Sequence, residues 1–246
     1  MFAIYKKELR SYFLNAIGYV YVGVFLAVSA LLCCYTTIGA QTYDTSEYFT
    51  YIIFSFIILI PLLTMKLFSE EKKLRTEQLL LTAPVSIWGM VLGKFFAAFT
   101  LFLGTVLASC VNFFPIYAYA RAEGLNEAYD AVGPVGVSII SSLLGIICIG
   151  MAFIAIGMFI SSLTENQLAA AIVTVAIIVS MLVLNLVNEY ITNYAIRFVI
   201  DWVCFVSRFA PFSAGMFDPS ALLYYVSVTG VFLLLTVRVY DKRRWG

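Results

Sequence analysis

Six apolar runs divide the chain, separated by polar stretches of unequal length. They extend from Ala16 to about Ala40, Tyr48 to Lys66, Ile87 to about Tyr117, Pro134 to about Leu163, Leu168 to Val187, and Pro219 to Val239. A helix needs about 20 apolar residues to cross the hydrocarbon core of a bilayer, and every run falls within or beyond the usual range. The pattern predicts an all-α polytopic membrane protein with six transmembrane helices, residues 1–246 forming a single transmembrane domain. The first run follows basic residues, as in a signal peptide, yet exceeds the roughly 7 to 15 apolar residues such a peptide carries. Its end offers only Ile38-Gly-Ala40 for cleavage, so it is read as a span.

Local patterns add detail. Residues 1–14 place Phe2, Tyr5, Leu9 and Tyr12 on one helical face, with Lys6, Lys7 and Arg10 opposite. That predicts an interfacial helix whose basic face meets anionic headgroups. Pro61 predicts a kink near the end of the second run. The third run is longer than a crossing requires, so it should tilt or break around Asn112 and Pro115. In the fourth, Gly145, Gly150, Gly157, Ser161 and Ser162 allow close backbone approach and predict a span packed inside the bundle. Across 188–218, Tyr194, Phe198, Trp202, Phe205 and Phe209 recur at helical spacing, opposed by Asn193, Arg197, Asp201 and Arg208. This is an amphipathic segment too polar to span.

The stretch 67–86, LFSEEKKLRTEQLLLTAPVS, crowds charges of both signs between two apolar runs and therefore belongs in water. Glu71 and Arg75 are four apart, as are Lys73 and Glu77, so a helix continuing from the second span would pair them for a few tenths of a kcal/mol. Reversing Glu71 to Lys is accordingly expected to be mild. Leu79, Leu80 and Leu81 form an apolar knot, Pro84 stops the helix near Thr82, and Ser86 caps the next one. A solvated loop with a stray leucine patch is the plain alternative. Three consecutive leucines in water instead favour a docking site for a soluble partner.

Composition agrees with a membrane protein. Hydrophobic residues make up 63% and charged residues 12% of 246 residues, with a mean hydropathy of +0.98. Histidine is absent, which excludes Ser-His and Cys-His intramembrane proteolysis. Cys33, Cys34, Cys110, Cys148 and Cys204 lack C-x-x-C spacing and read as small buried hydrophobes. Gly89-Met-Val-Leu-Gly93-Lys94-Phe95 imitates a phosphate loop, but it has one residue too few between its glycines and Phe95 where Ser or Thr should hold magnesium. Gly89 and Gly93 read as a packing pair, with Lys94 snorkelling to the headgroups. No catalytic, cofactor-binding or metal-binding residue and no nucleic-acid surface is assigned. Polar span residues such as Asn112, Ser141, Ser142, Thr174 and Asn185 read as helix-helix hydrogen bonds. No ionisable residue lies mid-span, so energy for transport should come from a partner.

Charge sets orientation. Outside the apolar runs, the amino terminus, the 67–86 loop, the Glu165 turn and the carboxyl terminus hold every Lys and Arg except Arg121, Arg197 and Arg208. Positive residues mark the cytoplasmic side, so both termini are expected there.

Phe68-Ser-Glu-Glu-Lys, Thr76-Glu-Gln-Leu-Leu-Leu, Pro84-Val-Ser and Val91-Leu-Gly-Lys94 follow one another as in ABC type-2 permeases, which this chain resembles. Ser-Leu-Thr164-Glu-Asn-Gln167 between two spans resembles the same family. The resemblance implies the membrane subunit of an ATP-driven exporter in a bacterial inner or cytoplasmic membrane, paired with an identical or related permease, homodimer or heterodimer. It further implies separate ABC ATPase subunits carrying ATP and magnesium. The loop would hold the coupling helix, with Glu70, Glu71, Arg75, Thr76, Leu79, Leu80 and Pro84 meeting the ATPase, and Glu165 and Asn166 forming a second contact. Family members also serve gliding motility and copper-enzyme maturation. In the family, short re-entrant helices stand where 188–218 lies; the residues alone fit an interfacial helix equally. The competing class is a non-transporting membrane anchor or assembly factor that docks a soluble partner.

Overall fold

A computed structural model describes residues 1–40, 42–78, 86–122, 136–188 and 204–245. Among them all regular structure is helical: α1 (Phe2–Leu14), α2 (Ala16–Cys33), α3 (Ser46–Thr64), α4 (Ser69–Lys73), α5 (Ile87–Ser109), α6 (Phe113–Ala122), α7 (Gly136–Leu163), α8 (Gln167–Asn188), α9 (Ala210–Ser213) and α10 (Pro219–Trp245). Among the described residues six stretches are long and apolar enough to cross a membrane: Ala16–Ile38, Ser46–Lys73, Ile87–Ala118, Gly136–Leu163, Gln167–Asn188 and Pro219–Arg244. They match the six apolar runs.

The small residues of α7 decide what lies at the centre. A Cβ on Gly150 would fall 2.1 Å from the Phe102 ring, and one on Gly157 would fall 2.3 Å from Thr64 Oγ1. Glycine at these positions lets α5 and α3 close onto α7. Of the most apolar stretch of α7, 72% lies buried within the chain, against 28% for the first span and 22% for α8. The Gly-rich span is thus the inner one, as its composition predicted, and the first and fifth spans form the periphery.

The third span breaks where expected. A 3-10 turn over Cys110–Asn112 ends α5, and α6 resumes with Pro115 in its first turn, where a missing N–H leaves no hydrogen bond unmade. Asn112 Nδ2 donates to Ser29 Oγ at 2.7 Å, and Ser29 shares a 2.8 Å hydrogen bond with the Tyr48 hydroxyl. Opposite the break, the first span passes into a π-helical turn at Cys34–Ile38. Asn112 therefore makes the helix-helix hydrogen bond the sequence suggested. α3 continues through Pro61 as far as Thr64.

Residues 204–218 differ from expectation. Turns occupy the stretch around Phe205, and only Ala210–Ser213 is α-helical. The sequence left an interfacial and a re-entrant placement open, and the described part of the segment packs along α7. Phe205 stacks on Phe153 at 5.0 Å, and a Cβ on Gly145 would come within 2.9 Å of Phe209. Ser141 and Ser142 both donate to the Phe212 carbonyl, which also accepts from the Gly215 N–H at 3.1 Å. Packing against a small-residue groove has replaced the continuous helical period. Residues 189–203 of the predicted outer segment, and most of the turn after Tyr119, lie outside the described residues.

Candidate functional site

The cation-rich segments converge at one end of the bundle, where α1, α4, the start of α5, the α7–α8 turn and the end of α10 meet. α1 reaches this end through a sharp corner at Asn15, whose backbone is extended. The corner is tight enough that a Cβ on Gly18 would lie 2.2 Å from the Tyr12 carbonyl oxygen. The inner face of α1 departs from the predicted one only at Phe2 and in including Glu8; Tyr5 and Leu9 are half-buried as expected. Phe2 is 75% exposed alongside Lys6 and Arg10, whereas Tyr12 is buried and Glu8 faces the bundle. The Tyr12 hydroxyl donates to the Leu63 carbonyl at 3.0 Å. Burial, and then the nearby Glu8 carboxylate, hold its phenol well above the usual range, so this donor keeps its proton.

α1 packs along α5 because Gly93 permits it: a Cβ there would meet the Met1 carbonyl at 3.2 Å and Ile4 at 3.3 Å. The predicted packing role of Gly93 holds. The snorkelling role of Lys94 does not, because its side chain is only 1% exposed. Its ammonium bonds Glu8 Oε1 at 2.9 Å and the Leu67 carbonyl at 2.8 Å, lies 3.0 Å from Glu71 Oε1, and stands 5.2 Å from the centre of the Phe68 ring. An ammonium has three protons, and three oxygens surround this one. A cation on the membrane side of a span start is stable when buried only if paired this way, which is why the chain carries two carboxylates to it. Lys7 joins at the rim, 3.7 Å from Glu71.

α4 is shorter than the helix predicted for the loop. The Arg75 N–H donates to the Lys72 carbonyl and the Thr76 N–H to the Glu71 carbonyl, with Arg75 at φ 56°. This is the paired hydrogen-bond signature of a helix stop built on a left-handed residue. The predicted Glu71–Arg75 and Lys73–Glu77 pairs across one helical turn are therefore replaced by tertiary ones. Glu71 turns inward to Lys94, and Glu77 reaches Arg243 of α10 at 2.9 Å. Ser161 of α7 accepts from the backbone N–H groups of Phe68 and Ser69, at 3.1 and 3.2 Å, and Lys72 donates to the Ser162 carbonyl. Phe68 also packs on Tyr240 at 4.8 Å. The start of the loop is thus fixed to α1, α5, α7 and α10.

Other predicted site residues stand apart from this nest. Arg75 is exposed and Glu70 and Thr76 are half-buried. Glu165 and Asn166 are exposed, and Asn166 Oδ1 accepts from the Leu168 N–H at 3.0 Å, capping α8. Ser86 caps α5 as expected, accepting from the Gly89 N–H at 3.2 Å. Leu79, Leu80 and Pro84 lie outside the described residues. Sequence reasoning missed Glu8 and Lys94 as partners. The signal was one acid in a basic helix and one cation two turns into a span, each costly without the other.

A family model described as ABC-2 family transporter protein matches residues 11–237. The chain belongs to this family. As an ABC-2 member with six apolar helices it is a multi-pass membrane protein and a permease component of an ABC transporter. The ABC-2 membrane domain is a permease and not a catalytic domain, and members of the family generally work with an ABC ATPase and often dimerise. No curated protein matched this ABC-2 chain.

Proposed function

We propose that this permease exports its substrate, and that residues 67–86 transmit the ATPase cycle to the bundle. The single transmembrane domain spans residues 1–246 and sits in a bacterial cytoplasmic membrane, with both termini and the charge nest on the cytoplasmic side. Two permeases, identical or related, enclose the path, and two ATPase subunits carrying ATP and magnesium dock below. Glu70, Glu71, Arg75, Thr76, Leu79, Leu80 and Pro84 belong to the docking loop, with Glu165 and Asn166 beside it. Nucleotide-driven closure of the ATPases tips the loop, and the bundle alternates between inward and outward states.

The observation that carries this reading is the anchoring of α4. A loop that merely connects spans has no need of Lys94 on one side, Ser161 beneath and Arg243 beyond. Such an attachment suits a lever: force applied to the exposed side of the loop reaches several spans together. The test is purification of the tagged chain from its native membrane in mild detergent, followed by reconstitution. Co-purification of an ATPase whose turnover depends on the permease supports the proposal. A chain that copurifies with no ATPase, or with one that ignores it, fits a membrane anchor instead.

A further inference from the structure

We propose that Lys94 is a positioning residue that joins α1 to α4, making the amino-terminal helix a moving part of the coupling unit. The inference rests on the coupling role of the loop proposed above and extends it to an element with no place in the docking residues.

Three facts converge. Lys94 is 1% exposed at the start of α5, and its two carboxylate partners come from different elements, Glu8 from α1 and Glu71 from α4. Its third oxygen, the Leu67 carbonyl, belongs to the turn between α3 and α4. One side chain therefore fixes the relative position of three segments. Tyr12 adds a second stitch from α1 to the end of α3, through the Leu63 carbonyl. A buried ammonium cannot release either carboxylate without leaving it desolvated, so the two helices are driven to shift together. Lys66 makes the arrangement less symmetric: it is 7% exposed, has no hydrogen-bond partner for its ammonium, and lies 5.3 Å over the Tyr12 ring. These contacts lie between α1, α5 and the turn that leads into α4. The nest is internal, and its role is to pass displacement from α4 to α1.

The test uses environment-sensitive fluorophores on single cysteines replacing Lys6 on α1 or Lys73 on α4, both exposed. Native cysteines are removed, and the complete transporter is reconstituted and given magnesium-ATP. Both reporters are expected to shift in the parent chain. In Glu8→Gln, which keeps Lys94, Glu71 and the Leu67 carbonyl together, the Lys73 shift should persist and the Lys6 shift should be lost. Lys94→Met gives the same dissociation wherever it assembles. A Lys6 reporter silent in the parent while Lys73 responds overturns the role of α1. An equal Lys6 response in Glu8→Gln and parent overturns the role of the ion pairs. Silence at Lys73 in the parent overturns the coupling reading itself, and this inference with it.

Discussion

Replacing Lys94 by Met leaves the carboxylates of Glu8 and Glu71, each with a side chain only 14% exposed, to the exposed Lys7 at the rim. Removing one partner of a buried ion pair costs about 3 to 5 kcal/mol. The Arg243–Glu77 pair, at 36% and 20% exposure, belongs to the class worth about 0 to 1 kcal/mol. Thermal unfolding in detergent should therefore fall far more for Lys94→Met than for Arg243→Ala, and equal losses would contradict the buried geometry. The sequence expectation for Glu71→Lys also reverses. A lysine there sets a second ammonium near the position now 3.0 Å from Lys94. It should be more damaging than Glu71→Gln in yield and stability, where spacing alone suggested a mild change. Period and spacing along a helix cannot reveal such a partner, since Glu8 and Lys94 meet only after α1 folds back at Asn15 and Gly18.

Elements were legible in proportion to how far local rules governed them. The spans, the Ser86 cap and the break at Asn112 follow from hydropathy and backbone chemistry, and they appear where those rules place them. α4 was misjudged because its stop uses Arg75 at φ 56°, a position where glycine or asparagine would have been the readable signal. The outer face of α1 was misjudged because Phe2 sides with lysines rather than with the core. α7 offers the clearest test of packing. Gly157→Leu drives a side chain into Thr64, 2.3 Å from the added Cβ, and should lower complex yield and melting temperature. Gly104→Ala, with nothing within 4 Å of its Cβ, should leave both unchanged or gain up to about 1 kcal/mol from helix propensity. Unchanged yield and melting temperature in Gly157→Leu would place this face of α7 outside the bundle.

At the scale of the whole molecule, the nest gathers segments that charge counting alone assigned to one side of the membrane. Orientation is checked on a background without native cysteines: cysteines replacing Asp44, Glu127 or Thr192 should react with an impermeant thiol reagent in intact cells, and those replacing Lys73 or Lys242 should stay unlabelled. Labelling at Lys73 from outside would invert the map. The more direct test concerns transmission of force. If residues 70–84 couple the ATPase to the bundle, truncating Leu79 and Leu80 to Ala removes up to about 1.5 to 3 kcal/mol of burial for each side chain the partner covers. Both leucines follow α4 in the sequence and carry no charge for the Lys94 nest to use, so the variant should remain folded in the membrane. The measurement is ATPase co-purification and ATP turnover in reconstituted vesicles. Coupling predicts a folded permease that loses ATPase binding or permease-dependent hydrolysis. Normal binding, hydrolysis and transport in the double variant would contradict it and return residues 67–86 to the status of an ordinary connecting loop.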